Sequence, residues 1–222
     1  MEKKFILTDK FVINSFGIKL FQIKCTKSFK YAQKGDFGGY VEKEGNLDQK
    51  NDAWVSGNAR VFGNARVSSN ARVSGDAWVS DNARVSGDAW VSDNAWVSSN
   101  AWVSGDAWVS GYAWVSGDAR VSGNARVSGD AWVSGNAWVS GDADIENDNE
   151  HCGFDGFGSC NRHTHAYMTK EKKVEIICGC FRGSIEEFEK KVEETHSGTV
   201  YEKQYKSIIN VIKIKFGLTD FT

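Results

Sequence analysis

The chain has 222 residues, of which 27 are Lys or Arg, 29 are Asp or Glu and 41% are hydrophobic. That is enough to bury a core in one sizeable domain or in two or three small ones. Residues 1–50 carry ten Lys against six acids, and the repeats carry six Arg against ten Asp. No stretch is therefore basic enough for a duplex nucleic-acid or membrane-surface binder.

In chain order, the first pattern is an alternation in Lys4-Phe5-Ile6-Leu7 and again in Ile18-Lys19-Leu20-Phe21-Gln22-Ile23. With Ser15-Phe16-Gly17 between them, the two runs predict a β-hairpin. The segment from Lys34 to Leu47 leads into the repeats, and residues 1–50 are assigned as hairpin and cap. A solenoid end exposes unpaired backbone and an open core, and something must cover it.

From Ala53 to Asp144 the unit Ala-Trp/Arg-Val-Ser-Gly/Asp/Ser-Asn/Asp recurs every six residues. Ala and Val alternate with Trp or Arg and Ser, the two-residue period of a strand with one buried face, and a turn pair follows. Inward positions run Ala53/Val55, Ala59/Val61 and onward to Ala143/Ile145. Corners such as Gly57-Asn58 and Asp81-Asn82 tolerate left-handed backbone angles. Residues 51–146 are therefore expected to form a parallel β-helix, a mainly β solenoid whose coils stack at about 4.8 Å.

These hexads resemble the hexapeptide-repeat family, whose members form a left-handed, triangular, commonly trimeric (LpxA-like) parallel β-helix. The resemblance implies three hexads per coil, so the sixteen hexads make slightly more than five coils. Taking every third hexad puts Arg60, Trp78, Trp96, Trp114 and Trp132 on one face. A second face carries Trp54, Arg72, Trp90, Trp108, Arg126 and Asp144, and a third carries Arg66, Arg84, Trp102, Arg120 and Trp138.

A row of indoles at strand spacing is an apolar patch that soluble monomers seldom leave bare. One reading is that Trp and Arg stack along the ladder and stabilise it by roughly 0.2–1 kcal/mol per pair. The other is a contact surface for a second copy, a host protein or a small nucleotide, since Trp and Arg dominate interface hot spots. The acidic corners oppose duplex nucleic acid. Acyltransferases of this family resemble one another in a coil-borne His and an excursion loop. Here His151, His163, His165 and His196 all follow the repeats and the hexad phase is unbroken, so no enzyme site is expected in the solenoid.

Residues 147–222 are expected to be a small α+β domain of ββαα order. A glycine-rich stretch from Cys152 to Cys160 leads to strand-like runs at 163–169 and 173–178. One helix then starts at the capping box Ser184-Ile-Glu-Glu187, and another starts at Thr199 and ends near Phe216. Cys178 and Cys180 with His163, His165 and Cys160 are the metal candidates, since thiolates and imidazoles suit zinc. Against that reading, Cys-x-Cys is not the usual knuckle spacing, and neither a cofactor nor a resident metal is expected. The odd count of five cysteines suggests a reducing compartment, and no apolar run approaches the ~20 residues of a membrane span. The expectation is a soluble cytoplasmic protein without a signal peptide.

The end motifs, Leu20-Phe-Gln-Ile-Lys, Gly35 to Leu47 and Cys178-Gly-Cys-Phe-Arg-Gly-Ser to His196, resemble those of phage- and prophage-encoded hexapeptide-repeat proteins. That resemblance implies a bacterial host cell and no catalytic residues. Together these features suggest a non-enzymatic binding protein acting on a component of anti-phage defence. The alternatives are a structural spacer of a virion and an enzyme or metal site in the C-terminal domain.

Overall fold

Each hexad contributes a two-residue strand, from Trp54–Val55 (β4) and Arg60–Val61 (β5) through to Asp144–Ile145 (β19). The computed structural model describes residues 3–219. The valines and alanines point inward and are almost wholly buried, so each strand fills its share of a narrow core with one methyl and one β-branched group. Strands pair in parallel with the equivalent hexad 18 residues later, as in Trp96↔Trp114 and Val97↔Val115. This register sorts the hexads onto the three expected faces.

The corners complete the backbone pairing. The first corner residue adopts a left-handed conformation, usually as glycine, as at Gly117 with φ 67°. A Cβ at Gly117 would stand 2.7 Å from the backbone nitrogen of Gly135 in the next coil, so the glycine is needed for close stacking as well as for its φ. The second corner residue forms a side-chain ladder in which Asn64 donates to Asn82, Asn82 to Asn100 and Asn100 to Asp118.

The solenoid has about six turns, one more than the hexads alone indicate. The strand Phe37–Val41 (β3) pairs in parallel with Arg60–Val61, and Leu47 bridges Val67, so the first coil starts ahead of Asn51. Its offset is 20 residues (61 − 41) where every later coil takes 18, and these two extra residues hide the coil from a six-residue search. Gly38 and Gly39 sit where a Cβ would strike the carbonyls of Val55 (2.5 Å) and Ala59 (2.6 Å), so the chain here needs glycine rather than the hexad residues.

The predicted hairpin is present as Phe5–Ile13 (β1) and Lys19–Cys25 (β2), and β2 pairs antiparallel with β3 to extend the Arg60/Trp78 face. Phe5, Ile23 and Cys25 plug the open core of the first coil. Asn14 shapes the hairpin turn by accepting from the backbone N–H groups of Phe16 and Ile18.

The C-terminal domain is a four-stranded antiparallel sheet with two helices, two strands more than expected. The glycine-rich stretch forms His151–Phe157 (β20), followed by Arg162–Met168 (β21), Val174–Cys178 (β22) and Phe181–Ser184 (β23). Its glycines read as loop, but Gly153 is there because a Cβ would lie 2.7 Å from the His163 ring. Ser184 and Glu187 cap Ile185–His196 (α1) reciprocally, and Thr199 caps Val200–Lys215 (α2).

Alternation splits the sheet into two faces. Ala166, Ile176 and Cys178 pack with the helices, while Tyr167 and Ile177 join the solenoid core and close its far end. Thr169 bridges Ala143 and the Tyr167 hydroxyl donates to the Ser140 carbonyl. No helix among the described residues is long and apolar enough to cross a membrane.

Candidate functional site

On the Trp-rich face the parallel register places equivalent indoles one coil apart, and they stack. Trp96–Trp114 and Trp114–Trp132 have centroid separations of 5.0 and 5.2 Å and are 7° from parallel. Each indole is also tied to the coil before it, because its Nε1 donates to the serine hydroxyl 16 residues earlier. These bonds are Trp96 to Ser80 at 3.3 Å, Trp114 to Ser98 at 3.1 Å and Trp132 to Ser116 at 3.4 Å. For these three indoles the hexad serine therefore fixes the rotamer of the next coil's tryptophan.

Trp78 departs from this rule for a visible reason. Sixteen residues before it stands Phe62, the one position between Ala53 and Asp144 where phenylalanine replaces the hexad serine. Trp78 turns edge-on to both Phe62 (5.8 Å) and Trp96 (5.7 Å), and Phe16 from the hairpin tip packs on Phe62 (6.1 Å) and Trp78 (6.2 Å). Phe16 and Phe62 thus lengthen the ladder to six rings. The broken hexad was the available signal for Phe62, and nothing local marked Phe16. Arg60 opens this face with its guanidinium 5.0 Å from the Trp78 ring.

The second face alternates cations and rings. Arg72 lies between Tyr31 (5.1 Å) and Trp90 (4.2 Å), Trp90 stacks on Trp108 at 5.2 Å and 3°, and Arg126 sits 4.8 Å from Trp108. Trp54 is a correction to the expected surface. It is only 4% exposed, lies edge-on to Phe29 at 5.4 Å and belongs to the core, because the N-terminal segment folds over it. Exposure rises toward the far end of the Trp-rich face, with Trp114 at 36% and Trp132 at 50%.

The metal candidates are not brought together. His165 faces the solenoid, with Nδ1 3.1 Å from the Trp138 carbonyl and Nε2 3.1 Å from Nδ1 of His151. Burial pushes its pKa down to about 3, and burial also lowers that of His151. His163 lies 2.8 Å from the Asp155 carboxylate, and this hydrogen bond lowers the Asp155 pKa. Cys178 is on the opposite face, where Thr164 donates to its sulfur at 3.2 Å, and Cys180 is exposed in a turn. Residues 163 and 165 share one side of a strand, and 178 pairs with 164 on the other, so the sheet separates imidazoles from thiols. Among the described residues no group of three or more His, Cys, Asp or Glu is placed to hold a metal ion. Cys178 and Cys180 instead line a cavity of about 190 Å³ with Arg162, His196 and Tyr205.

Comparison with known proteins bears on the solenoid. No curated protein matches the chain. Residues 53–69, 65–81, 77–93 and 119–135 match the family described as YdcK beta solenoid repeat. With its stacked parallel coils, the chain is a β-solenoid repeat protein whose repeats are similar to the YdcK type.

Proposed function

We propose that this protein is a non-enzymatic binding protein whose Trp/Arg-striped solenoid is a contact surface, occupied first by further copies of the same chain. The observation that carries this is the rigid ladder Trp96–Trp114–Trp132, whose last indole is half exposed although stacked and hydrogen-bonded. Rings already held in one orientation lose little side-chain entropy when covered, and aromatic anchors dominate interface energetics. Side-by-side association into a trimer, as in the hexapeptide-repeat proteins the hexads resemble, would cover the row.

Capture of a host protein or a small nucleotide belonging to anti-phage defence extends this reading. It rests on the resemblance of the end motifs to phage-encoded proteins, a genomic analogy. The cytoplasm of a bacterial host is the matching location.

The test is sedimentation of the intact chain beside a Trp114→Ser/Trp132→Ser variant. Self-association that disappears in the variant, with the far-UV spectrum unchanged, supports the proposal. A wild-type chain that sediments as a monomer, or a variant that assembles like it, overturns it.

A spacer role is the second reading, favoured by the uniform 18-residue register of the later coils. It expects function to survive deletion of one whole coil, which a composed aromatic face would not.

A further inference from the structure

At the end of the solenoid nearest the N-terminus, a cavity of about 450 Å³ opens between the start of β1, the turn at Lys27–Phe29 and the loop Lys50–Asp52. Its walls carry four lysines, Lys3, Lys4, Lys27 and Lys50, against one carboxylate, Asp52, and they include the ring of Phe29. Lys3 is committed to Glu44 at 2.6 Å. Among the described residues the other three lysines have no carboxylate within ion-pair distance.

Lys4 is the unusual member. Its side chain is buried, and its ammonium donates to the carbonyls of Asn51 (2.6 Å) and Ala53 (2.7 Å) while standing 5.0 Å from the Phe29 ring centre. Two of its three N–H groups are thereby used, and none meets an anion. Burial lowers its pKa to about 8, outweighing the more distant pull of Asp48 and Asp52. A buried cation without a bonded counter-charge, at the base of a cavity rimmed by two more unpaired cations, is complemented by an anion from outside. The volume lies within the ~300–1,000 Å³ range of small-molecule sites.

We propose that this cavity binds a small phosphate-bearing anion, with its phosphoryl oxygens held by Lys4, Lys27 and Lys50. Lysine ammoniums are point-charge donors suited to phosphate, and the Phe29 ring supplies an apolar wall beside them. The inference is independent of the tryptophan ladder, which lies along the outside of the coils, and stands or falls separately from it.

The experiment is calorimetric titration of the full chain at low ionic strength with two probes, pyrophosphate and adenosine monophosphate. Saturable binding that weakens by at least roughly tenfold in a Lys27→Glu/Lys50→Glu variant with unchanged thermal stability supports the site. A ¹⁵N-lysine spectrum then shows the Lys4 titration moving upward when the probe is bound. Tighter binding of the nucleotide places a base against Phe29, and equal binding confines recognition to the phosphate; either supports the proposal. No binding of either probe at about millimolar concentration, or undiminished binding by the double variant, overturns it.

Discussion

The indole nitrogen of Trp114 donates to the hydroxyl of Ser98, 3.1 Å away and one coil earlier. Ser98 is buried beneath the ring, so Ser98→Ala leaves an indole N–H without its acceptor. The expected loss is about 0.5–1.5 kcal/mol. Ser104 is the control, because 16 residues after it stands Arg120 rather than a tryptophan. Thermal denaturation showing equal losses for Ser98→Ala and Ser104→Ala would refute the coupling of serine to indole.

Phe62→Ser restores the hexad and gives Trp78 the acceptor its neighbours have, but it removes the ring on which Phe16 packs. The lost burial outweighs one gained hydrogen bond, for a net destabilisation of about 1–2 kcal/mol. Hydrogen exchange should quicken at the hairpin tip, residues 14–18, and stay unchanged in the later coils. Unaltered exchange at the tip would show that Phe62 does not anchor it.

The corners contain four non-glycine residues in the left-handed conformation, Ser69, Asp81, Asp93 and Ser99, with φ between 58° and 60°. The aspartates are compensated, since Asp81 accepts from the Ser99 N–H and Asp93 from the Gly111 N–H in the next coil. The serines have no such bond. Ser69→Gly and Ser99→Gly should each stabilise by about 0.5–1 kcal/mol, after allowing for the greater freedom of glycine in the unfolded chain. Asp81→Gly and Asp93→Gly should gain less or lose, as read from chemical denaturation midpoints.

Acid should weaken the fold through His165, whose pKa lies near 3 in the folded chain against an ordinary 6.5. The folded pKa is depressed, so below pH 6.5 the unfolded chain binds more protons and stability falls as pH falls. The contribution is complete above about pH 6.5 and is lost progressively toward pH 3. At pH 5 the gap of 1.5 units corresponds to about 2 kcal/mol. The facing groups are His151 and His163, with Asp148 and Lys215 acting on His151, whose own depression has the same sign. Urea denaturation at pH 7 and pH 5 measures the loss, and a His165→Gln variant should show a smaller difference between the two.

The solenoid was legible because its information is repeated. Every hexad states an inward alanine followed by valine, or by isoleucine at Ile145, and with the three hexads per coil that the family resemblance implies, the residues of each face could be assigned. The first coil was not legible, because two inserted residues and the Gly38-Gly39 approach replace the repeated letters with local geometry. In the C-terminal domain the helix starts were readable from Ser184 and Thr199, whose capping bonds are local. Strand β20 was not, since its Gly153 serves a neighbour's ring. The metal candidates shared a domain and not a face, and strand pairing alone decides that. Trp54 looked like its siblings, and only the segment around Phe29 takes it out of solvent.

A column of identical in-register strands has no internal reason to stop, and exposed final rungs would recruit further chains as a growing fibre does. On one of the three faces the first rung, β3, is covered by β2 running the opposite way, and beyond the last coil Thr169 meets Ala143 in antiparallel sense while Asp148 takes the Trp132 N–H. At these places the edge offered to a newcomer is no longer of the repeating kind. On those faces, lengthwise growth by further copies would lack the parallel, in-register partner that each coil gives the next.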